Sequence, residues 1–141
     1  MIINIFYDNT NFRLKNWKQV RSLINEVISN EKHILGDLNF IITNDESVKD
    51  INIRFLEHDY YTDVITFNYS QGNIVNGEVY ISIDTVRDNA NNYKVSLASE
   101  VLRVVIHGTL HLLGHDDKTD TERTEMRRLE DRWISYFKGE D

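Results

Sequence analysis

The sequence predicts an α+β fold, with a small mixed β-sheet of about four strands, about five helices, and one of those helices buried. Alternating apolar residues predict short strands, and apolar residues at every third or fourth position predict amphipathic helices. One further segment is apolar on most of a helical circumference, as in a buried helix. The predicted order is β-α-β-α-β-β-α-α-α, and a chain of 141 residues fits a single domain, residues 1–141.

The first part of the chain predicts a βαβ unit. Residues Ile2–Tyr7 are rich in β-branched and aromatic side chains, which is typical of a strand. A helix with Asn16 as its cap follows, and its apolar face is marked by Trp17, Val20, Leu23, Ile24, Val27 and Ile28. Gly36 interrupts this pattern, and Leu38–Thr43 returns to strand character. The two strands should therefore be parallel, with a right-handed crossover.

A second helix is predicted after this unit. Asn44 or Asp45 can cap it, because both side chains accept hydrogen bonds from the first turn of a helix. Its buried face is marked by Val48, Ile51 and Phe55. The segment Glu57–Asp63 that follows is polar and aromatic and has no clear periodicity.

The middle of the chain predicts a hairpin and a short helix. Apolar and polar residues alternate in segments 64–69 and 78–83, and the loop Ser70–Gly77 joins these two strands. Asp84 can cap the helix after them, in which the apolar face is weakly marked by Val86, Ala90 and Tyr93.

Two longer helices complete the chain. Ser96 is a suitable N-cap for the helix Leu97–Leu113, which should be buried because it is apolar nearly all round. Thr119 and Glu122 can form the capping box of a final helix, whose inner face is marked by Met126, Leu129, Trp133 and Phe137. Residues 138–141 should be frayed.

Composition and charge exclude several kinds of protein. The chain has no cysteine, so neither disulfides nor a thiolate zinc site can form. A net charge of −7 argues against binding nucleic acid by bulk electrostatics, so a nucleic-acid role would need a local basic patch. No apolar run is long enough to span a bilayer, and the N-terminus has no basic start, so we expect a cytoplasmic protein without a membrane partner. Four arginines of the final helix are most simply paired with acidic neighbours: Arg123, Arg127, Arg128 and Arg132 with Glu122, Glu125, Glu130 and Asp131.

The buried helix and the turn after it carry the pattern of a metal site. His107 and His111 are four residues apart, so their imidazoles project from one face about one turn apart. Gly114 can adopt the left-handed conformation that reverses the chain, and Asp117 follows as third ligand, with His115 as the alternative. Catalytic zinc sites use three protein ligands and leave a position for water. We predict one divalent ion held by His107, His111 and Asp117, with zinc favoured and nickel, manganese or iron open because of the carboxylate.

Other interpretations of the histidines remain open at this stage. They could be core residues or bind a purely structural ion. Zinc proteases of similar layout carry a glutamate general base directly after the first histidine, and Gly108 in that place argues against a peptidase. Glu100 and Arg103 lie on the same helical stripe as His107 and His111, and they either support the ligands or serve helix packing.

Three motifs carry a resemblance to a known family. They are His107-Gly-x-Leu-His111-Leu-x-Gly114 followed by Asp117, Thr62-Asp-Val-Ile-Thr-Phe67, and Gly77-Glu-Val-Tyr-Ile-Ser82. In order and spacing they resemble the YbeY family of bacterial ribosomal RNA maturation endoribonucleases. The resemblance implies a small α+β fold and a metal-dependent endoribonuclease specific for single strands. It further implies maturation of the small-subunit RNA 3′ end, ribosome quality control, and single-stranded ribosomal RNA and the ribosome or its small subunit as partners.

The chain departs from the family pattern at two places. The usual third ligand is a histidine where this chain has Asp117, and the preceding tyrosine position holds His115. An arginine usual ahead of the Thr-Asp-Val motif is replaced by Leu56, and Arg54 would lie on the wrong side of a helix to take its place. His58 or an arginine from elsewhere could substitute, so the sequence assigns no catalytic residue.

Three functions stay open from the sequence. As an endoribonuclease, the protein would use its metal ion on a phosphodiester in a cleft beside Glu57–Asp63, where Tyr60 and Tyr61 would either stack on bases or pack. Gly108 would then serve close helix packing. The alternative is a non-catalytic ribosome-assembly factor with a structural metal site, which the acidic balance and the missing arginine favour. A third possibility is hydrolysis of a small-molecule substrate at the same metal.

Overall fold

The computed structural model describes residues 2–56 and 62–139, and within these ranges it confirms the predicted order of elements and the α+β class. The elements are β1 (Ile2–Tyr7), α1 (Trp17–Asn30), β2 (Ile34–Thr43), α2 (Asp45–Leu56), β3 (Val64–Asn68), β4 (Ile74–Ser82), α3 (Ile83–Tyr93), α4 (Leu97–Leu112) and α5 (Asp120–Lys138). His58, Tyr60 and Tyr61, to which the sequence gave candidate roles, lie outside the described residues.

The four strands form one mixed sheet in the order β1-β2-β4-β3. β1 and β4 both run parallel to β2, whereas β3 pairs with β4 in antiparallel orientation, so the predicted parallel unit and the predicted hairpin are confirmed. Directly paired residues point to the same face of a sheet. Phe40 and Ile42 of β2 therefore share a face with their partners Val79 and Ile81, and all four are fully buried. This face is the core, and α1 and α4 pack on it.

The opposite face of the sheet contacts α2 at β3 and β4. The ring of Phe55 meets Phe67 edge-on at 5.9 Å between centroids. The prediction that Phe55 marks the buried face of its helix is wrong, because its side chain is 66% exposed. Val48 and Asn52 are the buried side chains of α2. The last turn of the helix reaches β3, which is the edge strand, and the sheet extends no further beneath Phe55.

Two strands begin earlier than the sequence predicts. β2 starts at Ile34 and β4 at Ile74, and these two residues pair with each other. The register shifts between Leu35 and Leu38, around Gly36. A Cβ atom at Gly36 would lie 2.9 Å from the carbonyl oxygen of Val75, closer than real side chains approach. The irregularity breaks the alternation of apolar residues, which is why the pattern places both strand starts too late.

Helix caps follow the sequence in most places. The predicted caps are present at Ser96, at Asn44 and in the Thr119–Glu122 capping box. Asn16 makes no side-chain capping bond, so that prediction is wrong. β4 runs directly into α3, and Ser82 rather than Asp84 therefore caps that helix by accepting from the backbone N–H of Thr85. α5 continues to Lys138, where fraying was predicted, and Gly139 in a left-handed conformation ends it.

α4 lies in the interior, as predicted, and ends one residue earlier, at Leu112. It packs against β3, β4, α1, α3 and α5. Ten of its sixteen residues are buried, so its polar side chains can reach solvent only along one stripe. A Cβ atom on Gly108 would lie 2.7 Å from Cγ1 of Val79 and 3.7 Å from Cγ2 of Thr66. Glycine thus allows α4 to approach the sheet closely, as the sequence predicts.

Gly108→Ala should lower the free energy of unfolding by about 1–2 kcal/mol. Overpacking against Val79 destabilises the fold by about 1–3 kcal/mol, and the higher helix propensity of alanine offsets this by up to about 1 kcal/mol. Urea denaturation measures the change. In a Val79→Ala background the cost should shrink, because the conflicting methyl group is gone, whereas an equal cost in both backgrounds would show that the contact does not limit the packing.

Candidate metal centre

Three predicted ligand side chains come together at the C-terminal end of α4. The Nε2 atoms of His107 and His111 are 3.0 Å apart, and Oδ2 of Asp117 lies 3.3 Å from each of them. Four-coordinate zinc with bonds of about 2.0–2.1 Å keeps its ligand atoms about 3.4 Å apart. The triangle of these atoms therefore has the dimensions of one divalent ion's coordination sphere, and the group could hold a metal ion.

The turn after α4 brings Asp117 to the histidines. Gly114 has a φ of 98°, the left-handed conformation predicted for it. The backbone N–H of His115 donates to the carbonyl oxygen of Leu110 at 3.0 Å, which closes the end of the helix. The chain then reverses, so that the carboxylate of Asp117 points back at the imidazoles.

His115, the alternative third ligand, is directed elsewhere. Its Nε2 atom lies 2.8 and 2.9 Å from the two carboxylate oxygens of Glu31, the residue after α1. The structure thus brings Asp117, and not His115, to the pair of α4 histidines. The contact with Glu31 also ties the turn to the end of α1.

Glu130 of α5 also reaches this group of side chains, although the sequence predicts an arginine of its own helix as its partner. The Nδ1 atom of His107 donates to Oε2 of Glu130 at 2.6 Å, and Glu130 is only 5% exposed. A carboxylate on the far nitrogen of a ligand histidine fixes the tautomer and turns Nε2 toward a metal. A signal for this role exists in the sequence, because Glu130 stands four residues after Met126 and three before Trp133, within the apolar stripe of the helix.

Arg103 contacts Glu130, the carboxylate that accepts the hydrogen bond from His107. Its Nη1 atom donates to Oε1 of Glu130 at 2.9 Å, and its Nη2 atom donates to Asp131 at 2.8 Å. The support predicted for Arg103 is therefore indirect, through Glu130. Glu100 is buried on the same stripe, and no hydrogen bond among the described residues joins it to either histidine. Burial raises the pKa of the Glu100 carboxyl above its usual value.

The arginines of α5 mostly do not pair as predicted. Arg128 and Glu125 form the expected ion pair, with Nε to Oε2 at 2.9 Å. Arg123 instead contacts Asp120 and the turn that precedes the helix. Arg132 lies over the ring of Trp133. The predicted partners Glu130 and Asp131 are occupied by an arginine of α4, because α4 and α5 pack side by side.

An open cavity of about 270 Å³ adjoins the ligand triangle between α3, α4 and α5. It is lined by Asp63, Asn89, Tyr93, Glu100, Arg103, Val104, His107, Asp117, Arg123, Met126, Arg127 and Glu130. Among these described residues, four carboxylates stand against three arginines, a formal charge of −1 that one divalent cation would change to +1. Asp63 confirms that the end of the segment Glu57–Asp63 reaches the cleft, and burial raises the pKa of its carboxyl.

The protonation of His107 reflects two opposing influences. Burial of the imidazole lowers its pKa, but the hydrogen bond and charge of Glu130, together with the charges of Asp117 and Asp63, outweigh burial. The pKa of His107 is therefore raised above its ordinary value. A metal ion has to compete with a proton at this imidazole, so acid should weaken metal binding.

The position of the expected arginine at the end of α2 remains apolar. Leu56 stands there and is partly exposed. The Nε atom of Arg54 forms an exposed ion pair with Asp50 at 3.1 Å, one helical turn away.

No helix within residues 2–56 and 62–139 is long and apolar enough to cross a membrane.

Comparison with known proteins identifies the family. A family model described as Endoribonuclease YbeY matches residues 4–138. A protein of that name from Christiangramia forsetii is 41% identical over 135 residues, covering 96% of this chain and 94% of its own length. A protein of the same name from Flavobacterium johnsoniae is 38% identical over 136 residues, covering 96% of this chain and 97% of its own length. The solution structure of TM1509 from Thermotoga maritima superposes with a TM-score of 0.68 at 30% identity, covering 99% of this chain and 91% of that one. The chain therefore belongs to the Endoribonuclease YbeY family.

Proposed function

We propose that this protein is a metal-dependent endoribonuclease that hydrolyses phosphodiester bonds in single-stranded ribosomal RNA. The observation that carries the proposal is the triangle of His107, His111 and Asp117, of which His107 and Asp117 line an open cleft. The relatives with about 40% identity are named endoribonucleases, and the match extends over nearly the whole chain.

One divalent ion would be held by Nε2 of His107, Nε2 of His111 and Oδ2 of Asp117. Two imidazoles and one carboxylate suit zinc, and three protein ligands leave one coordination position for water or substrate. When bound at such a site, the ion polarises a phosphoryl oxygen and lowers the pKa of a coordinated water.

The surrounding side chains prepare the ligands for this role. Glu130 holds His107 in the tautomer with its Nε2 lone pair toward the ion, and Arg103 holds Glu130. The cleft is acidic without the ion and carries a formal charge of +1 with it. Attraction of a polyanionic RNA strand should therefore depend on metal loading as well as on the arginines of the cleft.

The finer details of the substrate rest on the resemblance of the three sequence motifs alone. On that basis we propose cleavage at the 3′ end of small-subunit RNA and a part in ribosome quality control. The ribosome or its small subunit would be the partner, and the cytoplasm the location.

Chelation tests the proposal. Purified protein should cleave a single-stranded ribosomal RNA fragment, should stop when a chelator is added in excess, and should recover when zinc is restored. A duplex of the same sequence is the matched control, and it should be cut much more slowly. If the protein retains its metal but leaves RNA intact, the assembly-factor alternative gains support. Turnover of a small phosphodiester without RNA cleavage would instead support the small-molecule alternative.

A further inference from the structure

We infer that Arg123 and Arg127 of α5 bind phosphates of the RNA strand and guide it into the metal cleft. We call these two residues the arginine track. The inference rests on the proposed function and adds to it a binding surface on α5.

The arginine track lies on the side of α5 that faces the triangle of His107, His111 and Asp117. Arg123, Arg127 and Glu130 follow one another at intervals of four and three residues, so they share one side of the helix. Glu130 contacts His107, which fixes the direction of this side. Both arginines line the cavity that also contains His107 and Asp117.

Arg127 is the arginine of the cleft that remains available for a ligand. The guanidinium of Arg103 is occupied by Glu130 and Asp131. Arg123 donates from Nη1 to the carbonyl oxygens of Lys118 at 2.9 Å and Asp117 at 3.4 Å, and its Nη2 atom contacts Asp120. Among the described residues, Arg127 forms no hydrogen bond and no ion pair, and it acts on Glu100 only through its charge. Its planar guanidinium can therefore present two N–H groups to a phosphate.

The track also connects the cleft to the outer surface of the helix. A second open depression, of about 480 Å³, is lined by Arg123, Thr124, Arg127, Arg128 and Asp131. Arg123 and Arg127 thus border both depressions. Residues four apart on a helix differ by about 6 Å along its axis, so both guanidinium groups can contact one short stretch of backbone.

The net charge of the whole protein favours a local RNA-binding surface over a diffuse one. At a net charge of −7 the protein cannot hold RNA by its overall field, and binding needs a local cluster of cations. The exposed guanidinium groups of the arginine track, beside the proposed metal ligands, supply that local charge.

The test measures RNA affinity as a function of salt, with metal-loaded protein and a labelled single-stranded RNA checked for integrity. Arg127→Ala should reduce the slope of log affinity against log salt by about 0.7, the value for one phosphate contact on a single strand. Affinity at low salt should fall about tenfold, as expected for the loss of one charge-assisted contact. Arg123→Ala should act in the same direction.

The matched control is Arg132→Ala, on the same helix but stacked on Trp133 outside both depressions, and it should bind as wild type. Arg127→Lys should preserve the salt slope, because it keeps the charge. An oligonucleotide with an uncharged methylphosphonate backbone should bind wild type and Arg127→Ala equally weakly.

If wild type cleaves RNA while Arg127→Ala keeps its full salt slope, the arginine track is wrong and the proposed function stands. If metal-loaded wild type neither binds nor cleaves RNA, the proposed function fails and the track fails with it. Arg123 also contacts the turn that carries Asp117, so metal content is measured for its variant, and an unchanged content assigns its effect to RNA binding.

Discussion

His111→Ala should reduce cleavage of single-stranded RNA by at least about 10³-fold, because it removes one of the three proposed ligands of the metal ion on which the proposed reaction depends. His111 lies near the end of α4 and its side chain is partly exposed, so the fold should survive the change. Rates of cleavage of a defined RNA fragment measure the effect, and thermal unfolding verifies that the variant is folded.

His115→Ala is the matched control for this variant. It removes an imidazole four residues further along the chain, at a residue whose side chain contacts Glu31 and not the proposed metal ligands. It should retain most of the activity of wild type. Equal cleavage by His111→Ala and wild type would show that a contaminating nuclease is responsible or that the three ligands play no part in the reaction.

Glu130→Gln should weaken metal binding about 10–100-fold, the usual cost of losing the partner that orients a ligand histidine. The amide removes the charge that supports His107 and can no longer pair fully with Arg103. Competition with a chromophoric chelator measures the affinity. Glu125→Gln, on the same helix and paired with Arg128 at the surface, is the matched control and should bind metal as wild type. An unchanged affinity in Glu130→Gln would mean that the contact with His107 does not orient the ligand.

What the sequence could predict of the site depends on the distance along the chain between the contacting residues. The spacing of His107 and His111 lies within one helix, and the turn at Gly114 follows within a few residues, so local rules place all three proposed ligands. The contact of Glu130 with His107 spans 23 residues and depends on how α4 and α5 pack. Residue patterns show that both helices exist, but they do not show which residues of one meet which residues of the other.

The same distinction explains the differences in the fold. Ser96 is a reliable cap because its side chain bonds its own first helical turn. The residue type of Asp84 suits a helix cap, but Asp84 does not cap α3 because β4 ends directly at this helix. The carboxylate of Asp84 instead accepts a hydrogen bond from the backbone N–H of Asp45 at 3.0 Å. Phe55 is apolar and correctly spaced for burial, but its exposure is decided by the edge of the sheet, which periodicity alone does not reveal.

The metal content of the purified protein tests the central claim, that His107, His111 and Asp117 together hold one divalent ion. Wild type and His115→Ala, after zinc loading and removal of excess metal, should each retain about one ion per chain, whereas Asp117→Ala and His111→Ala should lose it. Retention of the ion by Asp117→Ala together with its loss from His115→Ala would contradict the account and assign the third ligand to His115.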